Sequence, residues 1–178
     1  GAIVKFLPMR TLESSRGRIF DVWRSPGRFT KNPDMVVLPS GKLLMVYADT
    51  DKHWAEGLIR LTFIESTDRG QTWSNPRVLI ESDRSKREPH WATPRISLLR
   101  DGRLAVLCDL NDFEHAHEYQ DPGIFIWWSE DGGDTWSDPV NTGVPGIEPD
   151  QVVELHDGRL AMASELIFAD TQKIGQVV

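Results

Sequence analysis

The chain has 178 residues, with 20 lysines and arginines against 27 aspartates and glutamates, a formal net charge of −7. Apolar residues make up 39% and glycines number 14, the composition of an ordinary globular chain rather than a collagen-like or disordered one. The negative balance argues against a nucleic-acid binder, which needs a basic face, and no run approaches the ~20 apolar residues of a membrane-spanning helix.

Ile3 to Leu7 and Ile19 to Trp23 are the first candidate strands. From Asn32 the pattern becomes regular. Pro33 precedes an apolar strand, a turn at Ser40-Gly41, and a second apolar strand that ends at Asp49. The same order returns from Pro94 through Asp101-Gly102 to Asp109, and again from Pro149 through Asp157-Gly158 to Glu165. Asp-Gly between two β-rich runs is a strong hairpin signal. The turn glycines Gly41, Gly102 and Gly158 are spaced by 61 and 56 residues.

A second motif interleaves with the first. Ser66-Thr67-Asp68-Arg69-Gly70-Gln71-Thr72-Trp73 returns 63 residues later as Ser129-Glu130-Asp131-Gly132-Gly133-Asp134-Thr135-Trp136. Each copy follows an apolar strand, Leu58 to Ile64 or Ile124 to Trp128, and each is followed by Ser, a polar residue and Pro. Ser and Asp side chains close such a loop through backbone groups, and Gly supplies positive φ. The Trp ring packs back onto the sheet. One unit therefore reads strand, Gly turn, strand, loop, strand, Ser/Asp/Gly/Trp turn, strand: a four-stranded antiparallel blade of the kind that repeats radially in a β-propeller. No segment shows sustained helical periodicity, so the expected class is all-β.

Between two strands of the second unit lies a long polar segment, Asp109 to Asp121. It is expected to project as a loop near one mouth. His115 and His117 would lie on one side of an extended chain, a usable metal geometry. Two histidines do not make a site, so neither a metal nor a cofactor is assigned. Cys108 is the only cysteine, which excludes an intrachain disulfide, and its apolar surroundings read as core. The compartment is left open between secretion and cytoplasm.

The Ser-x-Asp-x-Gly-x-Thr-Trp turn resembles the Asp box, or bacterial neuraminidase repeat. Two copies in phase with the strands make the chain similar to the sialidase (neuraminidase) superfamily, over approximately Phe29 to Glu165. The resemblance implies a six-bladed propeller, incomplete in this chain, within a single domain 1–178. Its units are expected at about 29–90, 91–145 and 146–178, with 1–28 supplying closing strands of a neighbouring blade. It also implies that Asp68, Asp131, Trp73 and Trp136 are structural residues of the outer rim.

Chemistry is expected at a mouth of the central channel. The resemblance places Lys31 where the family has a carboxylate-gripping arginine; Lys31 keeps the charge without the planar fork. It places Asp49 and Asp51 in the loop that carries the family acid/base, with Asp51 preferred. Glu148 matches the family's catalytic Glu, which accepts a proton from a Tyr nucleophile. Ser164 and Glu165 stand where a second arginine is expected, a charge reversal that weakens an assignment to sialic acid. The third arginine and the Tyr would lie beyond Val178. Asp51 and Glu148 are therefore the expected catalytic carboxylates, since glycoside hydrolysis uses a protonated and an ionised carboxyl group. Lys31, Asp49, His90, Trp91, Arg95, Asp150 and Glu165 are the expected substrate-binding residues, with Trp91 offering a ring face to a sugar.

The expected function is that of a sialidase-like glycoside hydrolase acting on a glycan, with no nucleic-acid or membrane partner. A polysaccharide lyase on the same fold and a non-catalytic glycan- or protein-binding propeller remain as alternatives. A propeller needs at least ~4 blades to close, and this length holds about three. The expectation is a fragment or a half-ring that two copies would complete as a homo-oligomer.

Overall fold

A computed structural model of the chain describes residues 21–111 and 123–165, and the backbone of 166–167 and 173–177. The expected strand Ile3 to Leu7 and the loop residues Asp112, His115, His117 and Tyr119 lie outside the described residues.

Among the described residues, every regular element is a β-strand apart from one short 3-10 turn at Arg84–Lys86. The first sheet is a four-stranded antiparallel meander of β1 (Phe29–Val37), β2 (Leu43–Thr50), β3 (Leu58–Ser66) and β4 (Arg77–Asp83). The second is built on β7 (Leu104–Asn111), β8 (Gly123–Ser129) and β9 (Val140–Pro145). Its inner edge is shared by β5 (His90–Trp91) and β6 (Arg95–Leu98), both antiparallel to β7. Two hairpins follow: β10 (Val153–Glu154) with β11 (Leu160–Ala161), and β12 (Ala163–Ile167) with β13 (Lys173–Val177). Asp21 to Trp23, the described part of the expected strand Ile19 to Trp23, joins no ladder.

The repeated sequence makes repeated local structure. In all three Gly turns an N–H and a carbonyl close the same ring: Leu38 N to Lys42 O at 2.9 Å, Leu99 N to Arg103 O at 2.9 Å and Leu155 N to Arg159 O at 2.8 Å. The glycine takes φ of +84°, +90° and +82°, which only glycine adopts without strain. The two Ser/Asp/Gly/Trp turns also match atom for atom. Ser66 Oγ donates to Asp68 Oδ1 at 2.8 Å and accepts the Gly70 N–H at 2.8 Å, while the Thr72 N–H and hydroxyl donate to the two Asp68 oxygens. Ser129, Asp131, Gly133 and Thr135 repeat this set. These bonds, led by that from the threonine hydroxyl, lower both aspartates to about 2.

The first and second sheets pack face to face. Leu44, Val46, Ile59, Leu61 and Phe63 meet Ile96, Leu104, Val106, Cys108 and Trp127 in one core. Burying each large side chain contributes about 1.5–3 kcal/mol. Phe63 stacks on Trp136 with centroids 4.9 Å apart, so the turn tryptophan of one sheet locks onto the core strand of the other. A second cluster, Leu107, Ile124 and Val144 with Val152 and Met162, joins the second sheet to the residues that follow it.

Candidate functional site

Proline shapes one end of the sheets. Pro33, Pro94 and Pro149 each begin the inner stretch of a unit, and proline has no N–H to give a ladder. In the first sheet the register slips between Lys31 and Asp34, and Asn32 between them takes φ of +53°. In the second the break separates β5 from β6. At the third, Glu148 takes φ of +50°. Each of these breaks interrupts the ladder at the start of a unit, as a bulge does.

Asp109, near the end of β7, is wholly buried. Its carboxylate accepts the Thr93 N–H at 2.7 Å and the Asn111 side-chain amide at 2.7 Å. The backbone of Glu148 approaches it from the third unit and acts to lower the carboxyl. Burial pushes the carboxyl up, and these donors pull it back. Lys31 faces it from the first sheet: burial lowers the ammonium, and the charge of Asp109 opposes that shift. His90, 4% exposed, is lowered to about 4 by burial and then by the positive charges of Lys31 and Arg84, with Asp51 acting in the opposite sense. Lys31, Asp51, His90 and Asp109 thus form one electrostatic neighbourhood drawn from the first two units.

Beside it is an open cleft of about 380 Å³ lined by Arg95, Glu148, Pro149, Asp150, Ala163, Ser164 and Glu165. Four of the expected site residues, Arg95, Glu148, Asp150 and Glu165, therefore share one cleft. Glu165 reaches it because Ile147 and Glu165 exchange both backbone hydrogen bonds, at 2.8 and 2.9 Å. Gly146 permits that approach, since a Cβ there would collide with the Glu165 carbonyl.

Asp51 is exposed and accepts the Glu56 N–H, at 3.2 Å to Oδ1, closing the loop after β2. Lys31 Nζ donates to the His53 carbonyl at 2.9 Å and ties that loop to the β1 bulge. The same loop presents Trp54, 62% exposed, edge-on to His53, which in turn packs edge-on to Phe29. Sequence reasoning did not single out Trp54; its signal was an apolar ring in an otherwise charged loop.

Two expected substrate-binding residues serve the framework. Asp49 is 7% exposed and is gripped by Arg28, with Nε donating at 2.7 Å, and by the Ser25 hydroxyl at 3.2 Å. Trp91, also 7% exposed, packs edge-on against Phe125 and Trp127 at 5.3 and 5.2 Å, so neither ring face is open to a sugar. Cys108 is fully buried, and burial raises its thiol well above the usual range. Among the described residues, no three His, Cys, Asp or Glu side chains are grouped to hold a metal ion. Among them, too, no helix is long and apolar enough to cross a membrane.

No protein-family model matches the chain, and no curated protein matches it. Solved structures do. A protein of unknown function from Dyadobacter fermentans aligns with a TM-score of 0.66 at 15% identity, over 87% of this chain and 52% of that one. The Hadza microbial sialidase Hz136 aligns at 0.62 and 20% identity, over 83% of this chain and 34% of that one. A family 117 glycoside hydrolase from the marine bacterium Zobellia galactanivorans aligns at 0.62 and 13% identity, over 85% and 52%. The chain spans about half the length of the first and third of these and about a third of the second. At such identities the likeness establishes a shared all-β, propeller-like arrangement of antiparallel sheets.

Proposed function

We propose that this chain carries part of a glycan-hydrolysing site of the sialidase-like kind, with Glu148 and Asp51 as its catalytic carboxylates. The supporting observation is convergence: Arg95 from the second unit and Glu148, Asp150 and Glu165 from the third line one cleft, and Lys31 of the first faces the buried Asp109 of the second.

In this reading one carboxyl protonates the departing glycosidic oxygen, and the other, ionised, takes the proton of the attacking water or hydroxyl. Asp51 is the donor, on the loop after β2, and Glu148 the acceptor, on the cleft. Lys31 and Arg95 supply positive charge for acidic groups of the glycan. Asp150 and Glu165 offer acceptors to sugar hydroxyls, and His90, neutral at pH 7, completes the wall. Trp54 replaces Trp91 as the aromatic surface for a sugar ring. The two matched relatives named as a sialidase and a glycoside hydrolase are consistent with this class of reaction. Activity against a panel of aryl glycosides and uronate oligosaccharides, lost in Glu148→Gln, tests it.

A further inference from the structure

We propose that the outward face of the first sheet carries a second ligand site: a cleft that takes a small, neutral, apolar molecule bearing a carbonyl oxygen, held by the Tyr47 hydroxyl and the Trp23 indole N–H. The inference does not rest on the hydrolase reading, and this cleft shares no lining residue with the one between Arg95 and Glu165.

Side chains alternate along β2. Leu44, Val46 and Ala48 enter the core between the sheets, so Met45 and Tyr47 take the opposite face. On β3 the ladder sets Ile64 across from Met45 and Thr62 across from Tyr47. Met45, Tyr47 and Ile64 line a cleft of about 290 Å³, together with Val22, Trp23 and Pro33. That is about twice the ~150 Å³ cavity that takes one benzene ring, so a ring with a short substituent fits. The two charged side chains at its wall already have partners. Lys31 Nζ donates to the His53 carbonyl at 2.9 Å, and Arg24 Nε donates to Asp21 Oδ2 at 2.8 Å. That favours a neutral ligand over an ion.

The polar atoms on this face call for an acceptor. Tyr47 is 3% exposed and Thr62 2%. Neither hydroxyl has a hydrogen-bond partner among the described residues, and the buried Trp23 indole N–H has none either. Buried Tyr and Trp groups ordinarily find one. The two turn tryptophans do: Trp73 and Trp136 donate to the Gly70 and Gly133 carbonyls at 3.1 and 3.2 Å. An indole N–H can only donate. Burial, with the charge of Asp49 adding to it, pushes the Tyr47 hydroxyl up to about 12, so it keeps its proton and donates as well. One oxygen entering from the cleft answers both donors, and Val22, Met45 and Ile64 suit the apolar remainder of the molecule.

The test titrates the full chain with acetophenone and with ethylbenzene, which has the same outline without the oxygen. The indole N–H signals are followed by NMR. Acetophenone is expected to move the Trp23 signal downfield to saturation while that of Trp136 stays in place. Ethylbenzene is expected to bind at least about fivefold more weakly, the worth of one hydrogen bond. Tyr47→Phe removes only the hydroxyl. It is expected to weaken acetophenone at least about fivefold and to leave ethylbenzene within about twofold. Its melting temperature is expected to equal or exceed that of the wild type, because the deleted hydroxyl has no bond to lose. A Trp23 signal that does not move up to the solubility limit of acetophenone overturns the proposal. So does equal affinity for the two probes, unchanged acetophenone binding in Tyr47→Phe, or a lower melt in that variant. Should Tyr47→Phe fail to fold, the two wild-type titrations decide. Glycan cleavage has no part in this readout, so failure of the hydrolase reading leaves the result standing.

Discussion

The N–H of Ile96, on the inner strand of the second sheet, donates to Asp34 Oδ2 in the first at 2.9 Å. The Gln151 side-chain amide donates to both oxygens of the same carboxylate, at 3.1 and 3.0 Å. One aspartate therefore links all three units just below the mouth. Asp34→Ala leaves the Ile96 N–H without its acceptor, which costs about 1–3 kcal/mol. Denaturant unfolding is expected to show a loss in that range, smaller for Asp34→Asn, which keeps one oxygen. An Asp34→Ala midpoint equal to wild type would show that the Asp34 bonds add nothing to the joining of the units.

His90 gives the fold a pH dependence of defined sign. Its folded value, about 4, lies below the ordinary 6.5, because burial and then Lys31 and Arg84 disfavour the cation. The folded state thus binds fewer protons than the unfolded state between these values. The contribution is complete above pH 6.5 and is lost as pH falls toward 4. An NMR titration is expected to place the imidazole midpoint near 4, and His90→Gln to flatten the stability profile across this window. A midpoint near 6.5 would contradict the environment described.

The two tryptophans near the mouth separate by role. Trp91→Ala removes a core ring and is expected to cost about 3–5 kcal/mol of stability. Trp54→Ala, at an exposed position, is expected to leave stability within about 0.5 kcal/mol while raising KM for a glycan. Chemical denaturation and steady-state kinetics on the two variants read both. A stability loss in Trp54→Ala as large as in Trp91→Ala would remove Trp54 from the substrate path.

Met35, Val37 and Val78 on the first sheet and Val153 and Leu160 in the third unit are large exposed apolar residues, from 40% to 58% accessible. Paired copies would cover such surfaces. Light scattering after gel filtration is expected to give a mass above the 20.2 kDa of one chain. A sharp peak at the monomer mass, with a cooperative melt, would contradict association.

The hairpins were legible because their signals are local: a glycine at positive φ and flanking apolar strands are fixed within ten residues. The Ser66 and Ser129 turns were legible for the same reason, since each bond set closes within the motif. The framework role of Asp49 was not, because Arg28 reaches it only after the chain has folded back from the first strand. The packing of Trp91 was hidden for a related reason: a ring at a strand start is equally compatible with a mouth and a core, and its contacts with Phe125 and Trp127 form only in the folded chain. Arg95, Glu148, Asp150 and Glu165 could be named from the repeat, but their shared cleft depends on Gly146 bringing Ile147 against Glu165. Asp109 stood in the sequence as one polar residue among several, and its buried place follows from the Thr93 N–H and the Asn111 amide, which meet it only in three dimensions.

The most direct measurement is glycan cleavage by the wild type and Glu148→Gln, on aryl glycosides and uronate oligosaccharides, with melting curves confirming that both are folded. The account predicts that the wild type releases product from at least one substrate. It predicts that Glu148→Gln loses at least about a hundredfold of that kcat, the scale of a single acid–base group, with its melt unchanged. Full activity in Glu148→Gln would contradict the assignment of this carboxylate.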